Sequence, residues 1–230
     1  MDNNEIILII DESYGEDFCA TCIVYIQGLN NYYLIVDQLR KININPAFNV
    51  YNSSRILHYN ENSISARQII TPWISEMPIS VHVAVTKTNI PETKKDKDNI
   101  AYKLLFPEIL KPILMKFKKR TENDVKFILN FENLSNKINN DINFFKKIIE
   151  NISIKNNVFV NVVTKEEEPL LFLPDYFLGF IHNHLTRKTT ETWSTESLKL
   201  LSDKIGLISV FNKEKITRYE RGNGIIKFLS

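Results

Sequence analysis

The acidic end of a hydrophobic segment is where this chain could do chemistry. Glu5-Ile6-Ile7-Leu8-Ile9-Ile10-Asp11-Glu12-Ser13 is a run of β-branched and large apolar residues ending in acid. Such a run reads as a central strand covered on both faces, which delivers Asp11 and Glu12 to a sheet's edge. Carboxylates beside an apolar core persist when they are paired, hydrogen-bonded or bound to a cation. Two later segments offer company: Val125–Glu132, a strand ending in Asn130 and Glu132, and Leu173-Pro174-Asp175-Tyr176-Phe177-Leu178-Gly179, the start of a helix. Acids gathered at one edge repel each other unless a divalent ion neutralises them, and oxygen ligands suit Mg²⁺ or Mn²⁺. Ions held this way activate water and stabilise in-line phosphoryl displacement. Asp175 also has an architectural explanation, because Pro and a carboxylate at a helix start satisfy the dipole.

These acids need a scaffold, and the hydrophobic periodicity predicts one. Strands are expected at about 5–11 and 18–26, joined through Gly15 as a hairpin, then a helix over 30–41 and an extended piece at 48–51. Residues 62–74 read as a helix interrupted at Pro72. A strand over 79–85 leads to a polar loop at 88–99 and a helix at 99–119 interrupted at Pro107 and Pro112. Strand 125–132, helix 139–150, strand 157–163 and helix 174–186 follow, with the Lys165-Glu166-Glu167-Glu168 stretch as a charged link. The tail predicts a helix at 195–204 and a short strand pair, with Arg221-Gly222-Asn223-Gly224 as the turn before 225–228. The class is therefore α/β: a mixed sheet flanked by helices, with a ligand crevice at the strands' carboxyl ends. The main domain is expected over residues 1–190, and 191–230 forms a small C-terminal α/β extension on it.

The strand-Asp-Glu-Ser opening with its second strand, the later strand ending in Asn-Phe-Glu, and the Leu-Pro-Asp-Tyr-x-x-Gly helix resemble an uncharacterised ribonuclease-H-like domain family. Its members open with strand-Asp-Glu-Ser-Gly and close with an Ala-Asp-containing helix, and the resemblance spans about residues 5–186. It implies a ribonuclease-H-like sheet and a Mg²⁺- or Mn²⁺-dependent nuclease that hydrolyses phosphodiester bonds, in a setting such as prokaryotic anti-phage defence. Asp11 matches the first-strand acid, Glu12 its neighbour and Asp175 the helix acid. Tyr14 replaces the customary glycine, with Gly15 one place later, and Pro174 stands at the alanine position. Asn130 stands where a strand Asp is expected. An amide oxygen ligates Mg²⁺ but adds no charge. Glu132 lies two residues on, faces the same side and can replace it. The implied site is thus Asp11, Glu132 and Asp175 as metal ligands, with Glu12 or Asn130 assisting. The alternative is a catalytically silent domain of this fold, an adaptor that binds a partner protein or nucleic acid in a multi-subunit assembly.

For nucleic acid, DNA or RNA, the candidate contacts are Lys116, Lys118, Lys119 and Arg120, Lys146 and Lys147, and Arg187 and Lys188. Each cluster equally fits a solvated helix end. The net charge of +2 gives no global attraction to phosphates, so binding has to rest on a local patch. His182 and His184 point to different faces of one helix and read as packing residues. Cys19 and Cys22, the chain's two cysteines, read as buried core thiols, because no second pair completes a zinc site. Phosphate-binding glycine loops and the Gly-x-Ser-x-Gly elbow are missing from the sequence. The absence of a span or leader signal leads to the expectation of a cytoplasmic chain with no membrane partner.

Overall fold

The computed structural model describes residues 4–49, 57–88, 90–118, 125–134, 138–152, 157–186, 193–213 and 215–230. Its seven-stranded sheet is built outward from β1 (Glu5–Tyr14). On one side β2 (Cys19–Gln27) and β3 (Ser80–Thr86) continue antiparallel. On the other, β4 (Lys126–Glu132) and β5 (Asn157–Val163) lie parallel to β1. Beyond β3, β6 (Ile205–Asn212) runs parallel and β7 (Lys215–Glu220) turns back, giving the order β5-β4-β1-β2-β3-β6-β7. The C-terminal segment therefore extends the same sheet.

Helices cover both faces. In chain order they are α1 (Leu29–Asn43), α2 (Pro46–Asn49), α3 (Ile64–Glu76), α4 (Lys94–Asn99), a π-helical stretch (Ile100–Leu105) running into α5 (Phe106–Lys118), and α6 (Ile138–Asn151). A 3₁₀ turn (Pro169–Leu171) enters α7 (Phe172–Thr186), and α8 (Trp193–Leu200) and α9 (Asn223–Leu229) follow. Strand alternation sends Ile7 and Ile9 into the layer of Ile35, Ile70, Phe177 and Leu198. Ile6, Leu8 and Ile10 enter the layer of Tyr102, Ile109 and Phe145. None of Ile6 to Ile10 is more than 3% exposed, so β1 is the doubly covered strand its sequence predicts.

The structure departs from the sequence reading in five places. α5 runs on through Pro112, where an interruption is expected. α3 continues past Pro72, and the preceding Thr71 hydroxyl donates to the Arg67 carbonyl at 2.7 Å. Burial of Ala66, Ile70, Thr71 and Ile74 on one face outweighs the bond that proline removes. Phe48 and Asn49 belong to α2 instead of an extended piece, and residues 50 and 51 lie outside the described residues. The loop expected over 88–99 contains α4, because Thr93 is its N-cap: its hydroxyl accepts the Asp96 N–H and donates to the Asp96 carboxylate. Finally, 225–228 is helical. Gly222, at φ 81°, caps α9, and Ile225 and Leu229 bury one face.

Tight packing also surrounds the start of α7. Gly179, one turn after Asp175, lies against the ring of Tyr59, and a Cβ at that position would overlap the ring. Tyr59 is wedged edge-on between Tyr176 and Phe180. Gly179→Ala is therefore expected to lower stability by about 1–3 kcal/mol through overpacking, measured by chemical denaturation. An unchanged midpoint would mean that the ring relaxes freely.

Candidate acidic site

The parallel register of β1 and β4 sets Ile9 beside Asn130 and Ile10 beside Phe131. One step further, Asp11 and Glu132 emerge side by side. Asp11 lies on the face of Ile7 and Ile9, and Glu132 on the face of Asn130 and Ile128. α7 covers this same face and carries Asp175 in its first turn. Asp11 is 5% exposed.

Lys165, just past β5, reaches inward with its ammonium 3.8 Å from Glu132 Oε2 and 3.9 Å from Asp175 Oδ2. Asp175 Oδ2 also accepts the Tyr59 backbone N–H at 2.7 Å. His58 Nδ1 stands 3.6 Å from that oxygen, too long for a hydrogen bond, and is buried with no hydrogen-bond partner among the described residues. Asp11 Oδ1 accepts the Glu12 N–H at 2.8 Å.

Burial pushes the Asp11 carboxyl well above the ordinary range, and repulsion from Glu12, Glu132 and Asp175 pushes it the same way. Burial also raises Asp175, opposed by Lys165, His58 and the Tyr59 N–H. The Lys165 ammonium offsets part of the repulsion among these carboxyls. A divalent cation would offset more of it, and the donor set is all oxygen, so the residues fit Mg²⁺ or Mn²⁺ in chemistry. As they stand, no three acidic, histidine or cysteine side chains among the described residues are gathered closely enough to hold one ion. The Lys165 ammonium stands between Glu132 and Asp175.

The two assisting residues have other partners. Glu12 alternates to the opposite face, where the Tyr102 hydroxyl donates to its carboxylate. Burial pushes Glu12 up to about 7, against the pull of that hydrogen bond. Asn130 shares a face with Glu132, but its amide is engaged at both ends. Nδ2 donates to Glu168 Oε2 at 2.9 Å, and Oδ1 accepts from Asn161 Nδ2 at 2.9 Å. Glu168, 5% exposed, also accepts from the Tyr32 hydroxyl and the Leu170 N–H. That last bond caps the 3₁₀ turn that enters α7. Asn130 therefore braces the segment carrying Asp175 and does not present a free oxygen.

Sequence reasoning missed Lys165, His58, Tyr102 and Glu168. The Lys165–Glu168 stretch read as a solvated link, yet its first and last side chains turn inward. Glu168-Pro169 did carry a signal, since Pro at the first helical position follows a capping residue. Nothing local marked Lys165 or His58.

Of the basic candidates, Lys116, Lys146 and Lys147 are described with their side chains, and none of these three joins the acids. Lys116 lies on α5, across the sheet, with Nζ 3.2 Å from the Tyr25 hydroxyl. Lys146 and Lys147 are exposed on α6, which packs on that same opposite layer. Lys118 ends α5, and Lys119, Arg120, Arg187 and Lys188 lie outside the described residues. Cys19 and Cys22 are buried free thiols on opposite sheet faces. His184 bonds Thr195 and the Phe228 carbonyl, and His182 packs on Phe18. No helix among the described residues is long and apolar enough to cross a membrane. No protein-family model matches the chain, and no curated protein matches it.

The raised carboxyls set a pH dependence. Between its ordinary 4.5 and about 7, Glu12 keeps a proton in the folded chain that the unfolded chain has released. The folded state then binds more protons, so stability falls as pH rises through this window and levels off above it. Asp11 and Asp175, also raised, act in the same direction. Melting temperature in metal-free buffer is expected to drop from pH 4.5 to 7, with a shallower slope in Glu12→Gln. A rise across that interval would contradict the burial of a protonated Glu12.

Proposed function

We propose that this chain is a ribonuclease-H-like domain whose acidic pocket takes a divalent cation and hydrolyses phosphodiester bonds of nucleic acid. The observation that carries this reading is the placing of Asp11, Glu132 and Asp175 toward one sheet face, with the Lys165 ammonium 3.8 Å from Glu132 and 3.9 Å from Asp175. The mixed seven-stranded sheet, with an antiparallel β1–β2–β3 meander and β4 and β5 parallel on the far side of β1, is compatible with this reading.

Asp11, Glu132 and Asp175 would hold Mg²⁺ or Mn²⁺. A bound ion supplies an activated water and a counter-charge for a phosphoryl group in transit. The chain's own contributions are separable. The Tyr59 N–H fixes the Asp175 carboxylate at the start of α7. The Asn130–Glu168–Leu170 bonds fix where α7 begins. His58, with its buried Nδ1 3.6 Å from Asp175 Oδ2 and without a hydrogen-bond partner among the described residues, is assigned the proton transfer. Asp11 itself is largely shielded from solvent.

A second reading draws on Lys165, which already neutralises part of the cluster without an ion. In it the fold is a silent adaptor docking a nucleic acid or protein partner. The two readings separate on metal dependence. The enzyme reading expects Mg²⁺- or Mn²⁺-dependent cleavage of single-stranded, duplex or hybrid substrates. Asp11→Asn and Asp175→Asn should abolish it while circular dichroism stays unchanged. It also expects metal at about a hundred times its Kd to add about 2.7 kcal/mol of stability, a melting shift of roughly 5–10 °C. No cleavage and no shift would leave the adaptor.

A further inference from the structure

We infer that Lys165 is an internal counter-ion which a divalent cation must displace, so that the pocket exchanges its own ammonium for the metal. The inference rests on the divalent-cation reading of the acidic pocket and concerns how that site is loaded.

Three observations lead to it. First, the ammonium reaches both Glu132 and Asp175, at 3.8 and 3.9 Å, and supplies the positive charge these two carboxylates share. Second, these contacts are longer than the ~2.8 Å of a charge-assisted hydrogen bond. They are Coulombic and loose, and nothing in them fixes the ammonium's direction. Third, the stem leaves from an anchored turn. The Glu168 N–H bonds the Thr164 carbonyl at 2.9 Å, and the Thr164 N–H bonds the Glu167 side chain at 2.9 Å. The backbone can stay in place while the four-carbon stem swings its head to water. Lys165 is 13% exposed at its side chain, so that exit is short.

The two occupants are mutually exclusive on electrostatic grounds. An ammonium within 4 Å of an incoming dication is strongly repelled where water is scarce. The lysine protects the empty pocket from its own repulsion, and it also sets the concentration at which metal enters.

Titration of the full chain with Mn²⁺ by calorimetry, alongside metal-free melting, tests this. Lys165→Met is expected to bind Mn²⁺ about tenfold more tightly than the wild type, to melt lower without metal, and to regain that loss when Mn²⁺ is added. Lys165→Arg, which keeps the charge, is expected to bind like the wild type. Should Lys165→Met fail to fold without metal, Lys165→Gln enters the same titration. Binding in the methionine variant but not in the wild type also supports the inference. Equal or weaker binding in the variant, with the wild type binding, overturns it and leaves the metal pocket standing. Silence in every variant up to millimolar Mn²⁺ overturns the pocket and the inference together.

Discussion

The register between β1 and β4 is the constraint on which the site depends. Side chains alternate with a period of two, so a one-residue slip would send Asp11 or Glu132 to the opposite face. The register is locked by burial on both sides: Ile7 and Ile9 belong to one layer, and Ile6, Leu8 and Ile10 to the other. A strongly hydrophobic strand thereby fixes two carboxylates next to each other. The order of the apolar residues, more than the acids themselves, decides that they meet.

Holding them together is costly, and the structure meets that cost locally. Burial and mutual repulsion drive Asp11 toward its protonated form, the Tyr59 N–H and Lys165 hold Asp175, and Lys165 also reaches Glu132. A separate buried network, Asn161–Asn130–Glu168 with Tyr32, ties the sheet to the turn that starts α7. Such networks specify geometry when every member is satisfied. Here the network determines where Asp175 sits relative to the strands without touching it.

Much of the fold was legible because it is written in local patterns. β5 matches its expected span residue for residue, and β1, β4, α1 and α6 differ only at their ends. The failures have physical causes. Pro72 breaks helices on average, but α3 buries one full face, and tertiary burial outweighs the local preference. Ile225–Phe228 has strand composition, yet burial at Ile225 and Leu229 follows helical spacing. Among the candidate acids, Glu132 and Asp175 stand out in the sequence because one closes a strand and the other lies in the first turn of a helix, and Asp11 because it follows an unbroken apolar run. Lys165 and His58 come from irregular links whose paths no periodicity encodes. Glu12 and Asn130 were misjudged for a different reason. Alternation places Glu12 on the other face, and no sequence signal reveals that Asn130's amide is already engaged by Glu168 and Asn161.

The central claim is that these carboxylates form one cation pocket. A crystal of the chain soaked in Mn²⁺, with data collected at an energy where manganese scatters anomalously, addresses it directly. The expected result is an anomalous peak within ligand distance of oxygens from Asp11, Glu132 and Asp175, with the Lys165 ammonium moved away. A map with no peak there, and Lys165 still between Glu132 and Asp175, would contradict it.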